Sequence, residues 1–251
     1  MTRPGSIAIL THARQGLDPG YFLAAIADQV WRPAGRRVLV HQGLRSPPPT
    51  EVALLHVDLT QVPLAYAALA GQYPRCLNAA VLDIAKRRVA DGLVVPGDGY
   101  EGPVIVKTDL NHGGLPERRL RRGLSSWLGQ RLPGRWSGRL PGGAYRLYER
   151  RALVPAWVWR RPELVVQRFL VERHGAHFAL HQWFFLGDAS VVSTLLGAEP
   201  LVKWQTRVDS LPLHDEVPAE IRRRRAQLGF DYGKFDYVVQ EGRAWLLDAN
   251  T

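Results

Sequence analysis

The closing stretch KFDYVVQEGRAWLLDANT, residues 234–251, restricts the fold more than any other part of the chain. It divides into two alternating runs on either side of Glu241–Gly242 and reads as a β-hairpin. In the first run Phe235, Tyr237 and Val239 face one way, and Asp236 and Val238 the other. In the second, Trp245, Leu247 and Ala249 share one face, and Leu246, Asp248 and Asn250 the opposite one. The turn lies almost midway between Asp236 and Asp248, so the hairpin predicts these two side chains opposite each other, with Asn250 on their face. Carboxylates that face each other on a sheet repel, and polar groups buried without partners are costly. Two readings satisfy this. Either a divalent cation sits among the three side chains, whose hard oxygen donors suit Mg²⁺, or Asp248 and Asn250 are strand-end residues bonded to backbone amides.

The rest of the second half is also rich in strand signals. ELVVQRFLVERHG (163–175) reads as a strand running into a turn, and AHFALHQWFFLGD (176–188) as a strand with ASVVSTLL as its hairpin partner. EVPAEIRRRRAQLGF (216–230) is a helix with Val217, Ile221 and Leu228 on one face and Arg222–Arg225 covering most of the rest. The first half differs. SIAIL (6–10), RRVLVHQG (36–43) and VALLHVDLT (52–60) read as strands. DPGYFLAAIADQVW and VPLAYAALAGQY read as helices, the first capped by Asp18. Residues 1–78 thus form a β-α-β-β-α pattern, an open α/β unit. NAAVLDIAKRRVADG (78–92) is expected to be helical and to end at Gly92. GPVIVKTDLNHGG (102–114) carries a short buried strand that ends in Lys107 and a glycine-containing loop. Residues 115–150, including RLPGRWSGRLPGG, are expected to form a mobile loop.

An apolar share of 46% supports a core. The single cysteine, Cys76, excludes an internal disulfide and suits a reducing, cytoplasmic setting. No apolar run is long enough to span a membrane, and the apolar start is too short for a secretory signal. The net charge of +10 admits phosphorylated small molecules, nucleic acid or acidic surfaces as partners. ERRLRRG, IRRRRAQ and eight tryptophans are compatible with nucleic-acid binding. A helix that packs its other face, however, accounts for Arg222–Arg225 as a solvated surface. Neither an HExxH zinc pair nor a GxSxG elbow occurs.

Taken in order, AVLDIAKRRVADG, PVIVKTDLNHGG, LVVQRFLVE and GFDYGKFDYVVQEGRAWLLDANT resemble the ATP-grasp superfamily, carboxylate–amine ligases with a glutathione-synthetase-like ATP-binding domain. The resemblance covers most of residues 52–251. It implies an α/β plus α+β fold: an N-terminal α/β domain (1–78), a lysine-bearing subdomain (79–165) and a C-terminal subdomain with the metal hairpin (166–251), the last two gripping the nucleotide. It also implies ATP and Mg²⁺, or Mn²⁺ in its place, as cofactors. Lys86 and Lys107 would contact phosphates as point charges, and Gly113 and Gly114 would let backbone amides approach them. Gln167, Arg168, Phe169 and Leu170 would form the hinge along adenine, with Glu172 reaching the ribose or a lysine. Asp236, Asp248 and Asn250 would hold the metal.

Two departures bear on catalysis. Relatives often carry a glutamate where Asp248 stands, and an arginine on the strand where this chain has His181 and Gln182. Lys203 and Arg207 would then supply the positive charge beside His181. The implied activity is ATP-dependent activation of a small-molecule or peptide carboxylate for attack by an amine. Alternatives are a nucleotide-binding protein without ligation, a small-molecule kinase and, from composition, a nucleic-acid-binding protein.

Overall fold

The computed structural model describes residues 5–120 and 145–251. The expected mobile stretch RLPGRWSGRLPGG lies outside the described residues. Its flanks do not follow the loop expectation, since Leu115–Leu120 are helical and Arg146–Tyr148 form a strand. The chain divides into two compact units, one of Met1–Asp83, Gly229–Tyr232 and Thr251, the other of Ile84–Leu228 and Gly233–Asn250.

The first unit is built on a parallel sheet of β1 (Ser6–Thr11), β2 (Arg37–Gln42), β3 (Val52–Leu55) and β4 (Arg75–Leu77), in the order β2-β1-β3-β4. Ala8, Ile9 and Leu10 of β1 are fully buried, as a central parallel strand requires. α1 (Phe22–Ile26) runs on as a π-helical turn, Ala27–Trp31, and α2 (Leu64–Ala70) precedes β4. Asp18 does not cap α1; its carboxylate accepts from Gly20 N in a preceding turn. Three residues directly after Pro74 are too few for periodicity to reveal, so β4 has no signature in the sequence. β3 ends at Leu55 instead of Thr60. His56 enters the core, 3% exposed, with its Nδ1 3.4 Å from the Tyr232 hydroxyl, and burial pushes it down to about 4.

The helix expected over 78–92 shrinks to α3 (Lys86–Val89). Residues before it have committed their hydrogen bonds elsewhere: Val62 N donates to Leu82 O, and Asn78, at φ 58°, turns its amide onto residues 231–232. Asn78 Oδ1 accepts from Asp231 N (2.8 Å) and Tyr232 N (3.2 Å), while Nδ2 donates to Tyr232 O (2.9 Å). Asn78 is 1% exposed, so Asn78→Ala leaves several buried backbone groups unpaired. A loss of about 2–3 kcal/mol in denaturant unfolding is expected.

The second unit holds two antiparallel systems. β5 (Leu93–Val94), β6 (Val104–Thr108), β7 (Arg146–Tyr148) and β8 (Leu164–Arg168) form a four-stranded sheet in the order β5-β8-β6-β7. Its core joins Val94, Val104, Val106, Val158, Leu164 and Val166. α4 (Leu115–Leu120) follows β6, and α5 (Ala156–Trp159) precedes β8. The larger sheet contains β9 (Glu172–His174), β10 (His177–Leu186), β11 (Ala189–Gly197), β12 (Arg207–Ser210), β13 (Tyr232–Gln240) and β14 (Arg243–Asn250). It is ordered β12-β11-β10-β13-β14, with β9 beside β10. α6 (Ala219–Leu228) buries Ile221 but starts after Val217. Its arginines are not all solvated: Arg224 donates to Arg88 O and Arg225 to Gly187 O, each at 2.8 Å.

β13 and β14 meet at Glu241–Gly242, both at positive φ (54° and 74°), as a two-residue I′-type turn requires. Asp236 pairs with Asp248, and Lys234 with Asn250. A bulge follows, so that Tyr237 pairs with Leu246 and Leu247 is the extra residue. Leu246 is therefore turned away from the face of Asp248 and joins the fully buried side of the sheet.

Candidate functional site

Four side chains of the hairpin share one face: Lys234, Asp236, Asp248 and Asn250. Lys234 Nζ lies 3.0 Å from Asp236 Oδ1 and 3.1 Å from Oδ2, and Gln182 Nε2 from β10 donates to Oδ1 at 3.1 Å. Asp248 Oδ1 accepts from Ala249 N, and its Oδ2 lies 3.4 Å from Lys86 Nζ. Asn250 is 4% exposed and its Oδ1 has no hydrogen-bond partner.

Lys86 reaches this face because α3 is pinned to the segment after β6. Lys86 N donates to Asp109 O (3.0 Å), Arg87 N to Asp109 Oδ1 (2.8 Å), and Lys86 Nζ to Leu110 O (3.0 Å). Lys107, on β6, is buried. Burial pulls its ammonium down to about 8, with Lys86 pushing the same way and the carboxylates of Asp248 and Asp236 opposing. Lys203 is exposed, and its Nζ lies 4.9 Å from the centre of the Tyr145 ring; Lys107 Nζ lies 5.5 Å from the same centre. Burial and the two aspartates push the Tyr145 hydroxyl up to about 12.

The chain contains four lysines among its 33 basic residues: Lys86, Lys107, Lys203 and Lys234. All four gather around Asp236, Asp248 and Tyr145. In a chain that otherwise uses arginine, the compact ammonium appears only here, where a point charge on a flexible stem meets oxygen anions.

The other expected residues lie in the turn after β6, the end of β8 and the larger sheet. Gly113 and Gly114 have φ of 62° and 72° and close the 3-10 turn Asn111–Gly114 ahead of α4. The positive φ of Gly114 is what requires glycine there; a Cβ would meet only the movable end of the Leu110 side chain. In the hinge, Arg168 N donates to Gly92 O and Phe169 N to Pro103 O, each at 2.8 Å, and the buried Gln167 side chain donates to Asp91 O at 2.7 Å. The Arg168 guanidinium lies 4.6 Å from the centre of the Tyr100 ring and 5.7 Å from that of Trp245. Glu172 lies 2.9 and 3.0 Å from His181 Nε2 and accepts from Val239 N. His181 Nδ1 is 2.7 Å from Thr194 Oγ1, and the ring stacks on Tyr237, so both nitrogens are committed inside the sheet. Arg207 lies over the Trp204 ring and donates to Trp204 O.

Gln167, Arg168, Phe169 and Leu170 border a slot between the two sheets, together with Lys107, Ile105, Leu180, Val202 and Leu247. Its volume is about 50 Å³, room for a water and not for a heterocycle. Larger cavities occur elsewhere, about 360 Å³ beside Trp159 and about 950 Å³ beside Pro47–Pro49 and Tyr73. Neither borders the lysine group, and chemistry outweighs size in choosing among them.

A cation fits the hairpin face. Two carboxylates lie directly opposite each other, and the buried Asn250 Oδ1 lacks a donor, which together make a hard-oxygen set. Among the described residues, no group of three or more His, Cys, Asp or Glu is arranged to hold a metal. The set is thus two carboxylates and an amide, open to oxygens from a ligand.

Lys234 and Tyr145 were not singled out in the sequence. Lys234 had a signal, its position two residues before Asp236 on an alternating strand. Tyr145 had none.

No family model and no curated protein matches the chain in sequence. Solved structures do match. The ATP-grasp ligase PsnB, complexed with minimal precursor, Mg and ADP, is 13% identical, with 97% of this chain and 88% of that one covered and a TM-score of 0.50. PsnB with a phosphomimetic variant of that precursor, Mg and ADP is 12% identical over 97% and 89% of the two chains, also at 0.50. D-alanine–D-alanine ligase from Bacillus anthracis is 9% identical over 99% and 86%, at 0.46. The order of strands around the paired aspartates and the likeness to PsnB lead to one conclusion: this chain has the ATP-grasp fold.

Proposed function

We propose that the protein is an ATP- and Mg²⁺-dependent ligase that activates a substrate carboxylate as an acyl phosphate and passes the acyl group to an amine. The observation that carries this reading is the convergence of Lys86, Lys107 and Lys234 on two opposed aspartates, with Lys203 joined to them through the Tyr145 ring, beside a slot between the two sheets of the second unit. PsnB, the ligase of similar fold, is described in complex with minimal precursor, Mg and ADP, which supports Mg²⁺ and an adenine nucleotide as ligands here. In the transfer, a carboxylate oxygen attacks the terminal phosphorus and ADP leaves. The amine nitrogen then attacks the acyl carbon, phosphate leaves, and the nitrogen gives up a proton.

Asp236, Asp248 and Asn250 would hold Mg²⁺, which neutralises phosphate charge when bound. Lys86 and Lys107 bind phosphate oxygens. Lys203 takes the place of the arginine that relatives carry, since His181 and Arg207 are engaged elsewhere. The hinge residues Gln167–Leu170, which border the slot, would hold the base. The protein's contribution is positioning and fixed charge.

The test is ATP binding by calorimetry with and without Mg²⁺. Mg²⁺-dependent affinity is expected, and no affinity at millimolar ATP would remove the reading. ADP release that rises only when an acid and an amine are both present separates ligation from nucleotide binding alone or transfer to a hydroxyl. The pH dependence follows from Lys107. Its free-state value of about 8 rises when phosphate is bound, so binding takes up a proton above pH 8. Affinity is expected to hold below pH 8 and to fall toward tenfold per pH unit above it.

A further inference from the structure

Tyr145 has no part in the chemistry assigned above, yet it touches two of the four lysines. Lys107 comes from β6 in the four-stranded sheet, and Lys203 from the connection between β11 and β12 in the larger sheet. Tyr145 directly precedes β7, the neighbour of β6, and its ring lies within cation–π range of both ammonium groups, at 5.5 and 4.9 Å. The ring therefore links side chains from the two sheets that border the slot.

The four lysines are held in two different ways. Lys86 and Lys234 rest on the carboxylates of Asp248 and Asp236. Lys107 and Lys203 rest on a neutral aromatic face. A carboxylate in that place would neutralise the lysines and repel an incoming phosphate. The face of a ring attracts both ammonium groups through its quadrupole and leaves their positive charge available. The raised hydroxyl of Tyr145 keeps the ring neutral across the physiological range.

We propose that Tyr145 is a positioning residue whose ring gathers Lys107 and Lys203 into a paired cation for the terminal phosphates of the nucleotide. This rests on the nucleotide reading above. The two lysines come from separate sheets, and the ring is the group that both approach. Without the ring, the exposed Lys203 is free to swing toward other acceptors, and the phosphate must draw it to the buried Lys107 on binding.

Calorimetric affinities for Mg²⁺ with the non-hydrolysable analogue AMPPNP, and for AMP, test this in wild type, Tyr145→Phe, Tyr145→Leu, Lys203→Met and the Tyr145→Leu/Lys203→Met double variant. Phe is expected to bind AMPPNP within about twofold of wild type, and Leu about tenfold more weakly. AMP, which lacks the terminal phosphates, is expected to bind all variants alike. The double variant is expected to be no more than about twofold weaker than the weaker single, because the two changes remove one device. Several results would overturn the assignment: wild-type affinity in the Leu variant, an equal loss in Phe, a parallel loss of AMP affinity, or multiplying losses in the double variant. Should Tyr145→Leu melt below the assay temperature, Tyr145→Gln replaces it with the same expected tenfold loss, and wild-type affinity there is equally fatal. A wild-type protein that binds neither nucleotide fails the nucleotide reading itself, which this control separates from a failure of Tyr145 alone.

Discussion

Asp248→Ala is expected to lower stability by about 3 kcal/mol in denaturant unfolding and to abolish the Mg²⁺ dependence of nucleotide binding. Asp248 is one-fifth exposed, but its partner Lys86 is only 3% exposed and sits 3.4 Å away. Removing the carboxylate leaves a buried ammonium facing the neutral Leu110 carbonyl with Lys107 close by, and a buried charge without its counter-ion costs far more than a surface pair contributes. The same carboxylate is one of three oxygen donors on the hairpin face, so both losses come from one change. They separate in the Lys86→Met/Asp248→Ala double variant. Taking out the stranded charge is expected to restore most of the stability, while the Mg²⁺ response stays absent. A stable single variant would mean that the pair is hydrated in solution, contrary to the burial of Lys86. A variant that keeps its Mg²⁺ response would remove Asp248 from the metal set.

Lys107→Met is expected to do the reverse to stability. The lysine is held near 8 by burial, about two and a half units below its ordinary value, so keeping it charged near neutral pH costs the fold about 3 kcal/mol. Methionine fills similar space without charge, and the variant is expected to gain stability by about that amount while losing nucleotide affinity roughly ten- to a hundredfold. The pH profile provides an independent check. Below pH 8 the lysine is protonated in both folded and unfolded chains, and its full cost is present. Between about 8 and its unfolded value only the unfolded chain binds the proton, so wild-type stability rises with pH across that window. The methionine variant is expected to lack this rise. Equal slopes for the two proteins between pH 8 and 10 would show that Lys107 is not buried in solution.

The closing hairpin illustrates what a sequence makes legible. Two residues that both accept positive φ set the turn, the turn sets the register, and Asp236 falls opposite Asp248 as expected. The bulge at Leu247 was not legible, because a single extra residue leaves the alternating pattern intact up to the point where it flips. The stretch 78–92 misled for a related reason. Its apolar spacing fits a helix, but Asn78 and Lys86 are bound by groups far along the chain, and those bonds outweigh local propensity. Glu172 and His181 look like exposed polar residues on strands. Only pairing of β9 with β10 and the nearness of β13 turn them into a hydrogen-bonded group inside the sheet.

By itself, the sequence determined the elements whose geometry is local: the alternating strands, the two-residue turn, and hence the opposition of the carboxylates. Tertiary structure alone decided which cations meet them. Lys86, Lys107, Lys203 and Lys234 span nearly 150 positions, and Tyr145 joins two of them without any periodic relation to either. Local dihedral preferences act over a few residues. The field in a binding site is set by distances through space, which sheet pairing and strand order establish.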